Sequence, residues 1–131
     1  GCLDSHFSNP DGYHHDDHYT TAYDMARIAV ACLKIEPVAR SCAKTVGRAV
    51  FLSGEDITWS STNKLLGSYR YATGLKTGST DEAGPCLAAE KDGTTLVAIL
   101  FNAADSYSRY DDATTLFTEG FQYVETFFPA Q

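Results

Sequence analysis

Lys76, Thr77 and Gly78 follow one another inside the run Ala72 to Cys86, which reads ATGLKTGSTDEAGPC. An ammonium, a hydroxyl and a residue without a side chain at adjacent positions offer a carboxylate three things: a positive charge, a hydrogen-bond donor and room for close backbone approach. In an extended strand Lys76 and Gly78 point to one face and Thr77 and Ser79 to the other, so twist at a sheet edge is needed to bring Thr77 to the same rim. A strand running into a glycine turn can read the same way by chance, and the neighbouring residues decide between the two.

Those neighbours are informative. Ser5-His6-Phe7 with Asn9-Pro10-Asp11-Gly12, His18 to Ala26 (HYTTAYDMA), Thr62 to Leu66 (TNKLL), the Lys-Thr-Gly run, and Arg109 to Phe121 (RYDDATTLFTEGF) occur in that order. Together they resemble one branch of the penicillin-recognising serine enzymes, the serine-type D-alanyl-D-alanine carboxypeptidases of peptidase family S11, whose third motif is K-T-G. The resemblance runs from Ser5 to Val124, and five ordered motifs are far more specific than any one of them.

The resemblance implies that residues 1–131 form the C-terminal portion of a catalytic domain with a partial β-lactamase/transpeptidase-like fold. In that family a serine attacks the peptide bond between the two terminal D-alanines of a peptidoglycan stem peptide, forms an acyl-enzyme and is released by water. Carried over residue by residue, Lys76 is the catalytic candidate, attracting the terminal carboxylate and helping to order proton transfer. Thr77 hydrogen-bonds the same carboxylate, and Gly78 lets the substrate lie alongside as an added strand. The Ser79 N–H is one oxyanion donor, and Thr80 completes the candidate binding set. Thr80, Asp81 and Gly84 equally suit an ordinary turn. No metal or cofactor is implied. The implied partners are the stem peptide, β-lactams in the complete enzyme, and an N-terminal half of the same domain that supplies the nucleophile. The implied location is extracytoplasmic, in the cell envelope or periplasm, with any membrane anchor outside this chain.

Two further stretches have the residue pattern of serine catalysis: Ser41-Cys42-Ala43-Lys44 is an S-x-x-K and Ser61-Thr62-Asn63 an S-x-N. With ten serines and five lysines in the chain, an S-x-x-K arises readily without selection. In the family a helical region separates the two motifs, whereas here only the sixteen residues 45–60 intervene and they read as a strand hairpin. Both are therefore taken as coincidental, with the nucleophile expected upstream. Two other classes stay open: a compact serine hydrolase using Ser41 and Lys44, and a non-catalytic module that binds wall peptides.

The composition suits one domain: 131 residues, 44% hydrophobic and 12% aromatic, are enough to fill a core. A formal charge of -7 with no basic cluster argues against nucleic acid as a partner. No apolar run approaches the ~20 residues of a membrane span, and GCLDSHF has neither the charged start nor the apolar centre of a signal peptide. Cys2, Cys32, Cys42 and Cys86 form no C-x-x-C pair. Cys32 and Cys86 read as buried thiols, while the pairing state of Cys2 and Cys42 stays open. Tyr13-His14-His15-Asp16-Asp17-His18 holds metal-ligand residue types, but lies between a turn and a helix start and reads as a solvated loop.

The elements that must carry these residues follow from periodicity. Thr21-Ala22-Tyr23-Asp24 approximates a capping box, and Met25, Ile28, Ala29, Cys32 and Leu33 repeat at helical spacing over about 14 residues. Pro37 opens a short helix through Ala43. Val46 to Leu52 and Ile57 to Trp59 predict two strands, and Thr73 to Thr77, Pro85 to Glu90 and Thr94 to Phe101 three more, the last pair joined by Asp92-Gly93. Asp105 or Ser106 caps a final helix with apolar positions at Tyr110, Ala113, Phe117, Phe121 and Val124. The outcome is an α+β layer, an antiparallel sheet covered by helices. Leu96 to Phe101 is apolar, β-forming and free of charge and proline. Its edge, within the stretch 94–102, is expected to pair with the N-terminal half or, failing that, with a second copy of the chain.

Overall fold

Thr21 starts the first helix: its hydroxyl accepts the Asp24 N–H at 3.1 Å, and α1 runs from Ala22–Leu33, twelve residues where the periodicity predicts about fourteen. The computed structural model describes residues 1–78, 84–103, 105 and 107–129. Asp24 does not complete the expected capping box. Its carboxylate is buried and turned to the N-terminal segment, accepting from the Asp4 N–H at 2.9 Å and the Ser5 hydroxyl at 2.7 Å. A buried carboxylate needs such donors, and these tie residues 4 and 5 to the helix. Between them, Asn9 accepts from Gly12 and Tyr13, Gly12 takes φ 81°, and a His6–Tyr19 bridge closes the loop. Tyr13 to Asp17 are exposed, and among the described residues no group of three His, Cys, Asp or Glu side chains is arranged to hold a metal.

Pro37 lies in the first turn of α2 (Glu36–Cys42), where a missing N–H costs nothing. An antiparallel hairpin follows, β1 (Val46–Val50) on β2 (Asp56–Ser60). A one-turn helix, α3 (Leu65–Ser68), was not predicted; Asn63 Oδ1 accepts the Leu65 N–H at 3.1 Å and sets its start. Then come β3 (Ala72–Lys76), β4 (Cys86–Lys91) and β5 (Thr94–Ile99), an antiparallel sheet in the order β3-β4-β5. Asp92 and Gly93, at φ 50° and 80°, make the two-residue turn that their sequence predicts. Gly84 cannot be replaced without moving backbone: a Cβ there would lie 1.6 Å from the Leu100 carbonyl oxygen.

The last helix, α4 (Ser108–Phe127), starts later than predicted, with Tyr107 at its N-cap position. Asp105 still caps it from outside, accepting the N–H groups of Tyr107 and Ser108 at 2.6 and 2.9 Å. Ser106 lies outside the described residues. Tyr110, Ala113, Phe117 and Phe121 are all buried and pack with Leu87, Ala89, Ala98 and Leu100 on one face of the sheet. Phe117 also stacks on Tyr69, ring centres 5.9 Å apart. On the other face Ala29 of α1 meets Leu75, Cys86 and Ala88. The sheet is thus sandwiched between helices, the α+β layering expected. All four cysteines are free thiols. Cys86 is buried, but Cys32 is half-buried rather than buried, because it lies at the margin of the α1 face. Among the described residues β5 pairs only with β4, leaving its other edge without a strand.

Candidate functional site

Strand β3 ends at Lys76, one residue short of the prediction, so Thr77 and Gly78 lie beyond the regular pleat. The strict alternation that would turn Thr77 from Lys76 therefore lapses at that point. Both side chains line one cleft of about 460 Å³. The Lys76 ammonium donates to the Thr77 carbonyl, and the Thr77 hydroxyl lies 2.5 Å from that of Thr62. Lys76 is exposed, whereas Thr77 and Gly78 are half-buried. Ser79, Thr80 and Asp81 lie outside the described residues.

The end of the strand is held from α4. Arg109 donates to the Gly78 carbonyl at 3.1 Å, and the hydroxyl of its buried neighbour Tyr110 donates to the Thr62 carbonyl at 3.2 Å. Neither was singled out from sequence as a site residue: Arg109 only opens the last of the matched stretches, and Tyr110 reads as an apolar position of the final helix. Asn63, beside Thr62, is only 4% exposed, and its Nδ2 has no hydrogen-bond partner among the described residues.

The same cleft is lined by Ser41, Lys44, Ser61 and Asn63, the two patterns that sequence order set aside. The hairpin that separates them in the chain is what joins them in space: the Ser61 N–H donates to the Thr45 carbonyl at 2.7 Å, where β1 and β2 meet. The Lys44 N–H donates to the Ser41 carbonyl at 3.3 Å where α2 ends, but among the described residues no hydrogen bond joins the Ser41 hydroxyl to the Lys44 ammonium. Arg48 also lines the cleft, with its guanidinium bound to Asp56 by two hydrogen bonds and the Asp56 carboxyl held below its ordinary range by that pair. With Arg48 paired to Asp56, Lys44 and Lys76 are the cations this cleft offers on an acidic chain, suited to an anionic group. Cys86, directly across the ladder from Lys76, is buried and its thiol is pushed up to about 12, mainly by desolvation.

Comparison with known proteins gives the family. The family profile of the D-alanyl-D-alanine carboxypeptidases, Peptidase S11, matches residues 1–105. A D-alanyl-D-alanine carboxypeptidase of Streptomyces sp. strain K15 is 33% identical over 92% of this chain and 44% of its own length. D-alanyl-D-alanine carboxypeptidase DacF of Bacillus subtilis strain 168 is 30% identical over 96% of this chain and 33% of its own. Among solved structures, the Streptomyces K15 DD-transpeptidase superposes with a TM-score of 0.82 at 31% identity, covering 90% of this chain and 48% of that one. A D-alanyl-D-alanine carboxypeptidase from Mycobacterium tuberculosis H37Rv gives 0.80 at 26% identity, covering 92% and 48%. The chain spans less than half the length of each of these relatives. The profile match, the two relatives and the shared fold establish that this chain belongs to the D-alanyl-D-alanine carboxypeptidases of peptidase family S11.

Proposed function

We propose that the chain is the C-terminal portion of the catalytic domain of a serine-type D-alanyl-D-alanine carboxypeptidase. It contributes the carboxylate and oxyanion side of the cleft. The nucleophilic serine comes from an N-terminal half outside the chain, docked along the open edge of β5. The reading rests most directly on Lys76 and Thr77 opening together into a cleft lined with cations. The enzyme works outside the cytoplasm on peptidoglycan stem peptides, and β-lactams acylate the same serine. No helix among the described residues is long and apolar enough to cross a membrane.

In this mechanism the terminal D-alanine carboxylate enters the cleft facing the Lys76 ammonium and accepts a hydrogen bond from the Thr77 hydroxyl. Gly78 leaves space for the substrate backbone to run along β3, and the Ser79 N–H meets the oxygen that becomes negative on attack. Thr80 borders the same seat. The serine adds to the carbonyl carbon, the bond to the last alanine breaks with protonation of its amine, and water then cleaves the ester. Lys76 favours the anionic transition state and helps order the proton that moves from serine to leaving amine.

A compact hydrolase built on Ser41 and Lys44 is the second reading, favoured by their place in the same cleft as Lys76. Labelled penicillin distinguishes the two. The complete catalytic domain should be acylated and the 131-residue chain alone should not. Labelling of the chain that disappears in Ser41→Ala would establish the second reading instead. Stem-peptide binding by calorimetry, with no acylation even of the complete domain, would indicate a binding module.

A further inference from the structure

We infer that Thr62 is a positioning residue that fixes the direction in which the Thr77 hydroxyl donates its proton. The inference rests on the carboxylate seat proposed above, and concerns a residue to which that seat gives no role. Each hydroxyl carries one proton and two acceptor sites. Across the 2.5 Å contact of Thr62 and Thr77, only one of the two can donate to the other. If Thr77 donates to Thr62, it has nothing left for a carboxylate. If Thr62 donates to Thr77, the Thr77 proton is free to point into the cleft.

An anion in the cleft selects the second arrangement. A carboxylate accepting from Thr77 polarises that hydroxyl and makes its oxygen a better acceptor for Thr62, so the two bonds strengthen one another. Such a relay works only if Thr62 stays in place, and its backbone is held at its carbonyl and through the residue that follows. Its carbonyl accepts from Tyr110, a buried residue of α4. The next residue, Asn63, is buried and fixed by its bond to the Leu65 N–H. An exposed threonine on a buried footing thus aims its hydroxyl at the one hydroxyl of the K-T-G motif. Among the described residues no other group shares the Thr62 hydroxyl.

The test uses the complete catalytic domain and a D-Ala-D-Ala-terminated peptide. Thr62→Val keeps the shape and removes the donor, and should raise KM by about three- to tenfold with a smaller change in kcat, the range of one oriented hydrogen bond. Thr62→Ser should restore the wild-type KM. In a Thr77→Val background, Thr62→Val should add nothing further, because its effect passes through the Thr77 hydroxyl. Wild-type KM in Thr62→Val, failure of Thr62→Ser to rescue, or additive losses in the double variant would each overturn the inference. If Thr77→Val is impaired and Thr62→Val is normal, only the positioning role falls. If Thr77→Val itself has wild-type kinetics, the carboxylate seat falls with it.

Discussion

Arg109 and Gly78 are thirty-one residues apart in sequence, yet the Arg109 guanidinium lies 3.1 Å from the Gly78 carbonyl oxygen. The first turn of α4 therefore holds the end of the K-T-G segment, and does so beside Tyr110, which holds Thr62. A core helix and the edge of the cleft share two adjacent residues.

Replacing Arg109 should separate positioning from stability. Arg109→Ala removes the donor to Gly78 while the neighbouring buried positions, Tyr110 and Ala113, keep α4 on the sheet. Penicillin acylation of the complete domain is expected to slow by about tenfold or more, with the thermal midpoint shifted by only a few degrees. Stopped-flow acylation and calorimetry on one preparation would check both. Arg109→Lys should recover little, since a single ammonium does not reproduce the planar guanidinium fork.

Phe117 tests the packing beneath the site. It is 1% exposed and stacks on Tyr69, so Phe117→Ala should destabilise the complete domain by about 3–5 kcal/mol, the usual range for a buried aromatic deletion. Urea unfolding followed by tryptophan fluorescence would measure it.

Cys86 gives a pH dependence. Its folded thiol is pushed up to about 12 from an ordinary value of 9.0. Below pH 9 the thiol is neutral in both states and contributes no slope. Between pH 9 and about 12 the unfolded chain releases this proton and the folded chain retains it, so stability falls as pH rises through that window. Denaturation midpoints should fall less steeply over pH 9–11 in Cys86→Ala than in the wild type, and iodoacetamide should label Cys86 only after unfolding.

The open edge of β5 yields a prediction about association. Among the described residues Leu96 to Ile99 lie on an edge with no strand partner, and neither a charge nor a proline blunts it. The 131-residue chain alone should associate with itself as its concentration rises, and a separately supplied N-terminal half should suppress that. Light scattering over a dilution series would show it. A chain monomeric at high concentration would mean that the edge needs no strand partner.

Much of the fold was legible in the sequence because it rests on local signals. Tyr110, Ala113, Phe117 and Phe121 repeat at helical spacing and all four are buried, while Asp92-Gly93 forms the turn its residue types favour. α3 escaped because four residues are too few to show a period, and its start depends on one side chain, Asn63. Asp24 looked like a capping-box residue, but burial let distant partners, Asp4 and Ser5, claim its carboxylate. In the site, Lys76, Thr77 and Gly78 were readable as a motif. The site roles of Thr62, Arg109 and Tyr110 were not, since Thr62 and Arg109 reach the motif across 15 and 31 residues of chain and Tyr110 reaches Thr62 across 48. The S-x-x-K and S-x-N patterns were set aside because a hairpin separates them. An antiparallel hairpin returns its two ends to one place, so the two patterns line one cleft although sixteen residues separate them.

Lys76 carries the central claim, and the most direct measurement is kcat/KM of the complete catalytic domain on a D-Ala-D-Ala peptide, wild type against Lys76→Ala. Loss of the ammonium removes a charge from both the carboxylate seat and the transition state, and kcat/KM should fall by about 10²-fold or more. Because Lys76 is exposed, the unfolding midpoint should hardly move. A stable Lys76→Ala variant with wild-type kcat/KM would contradict the assignment and take the K-T-G segment out of the active site.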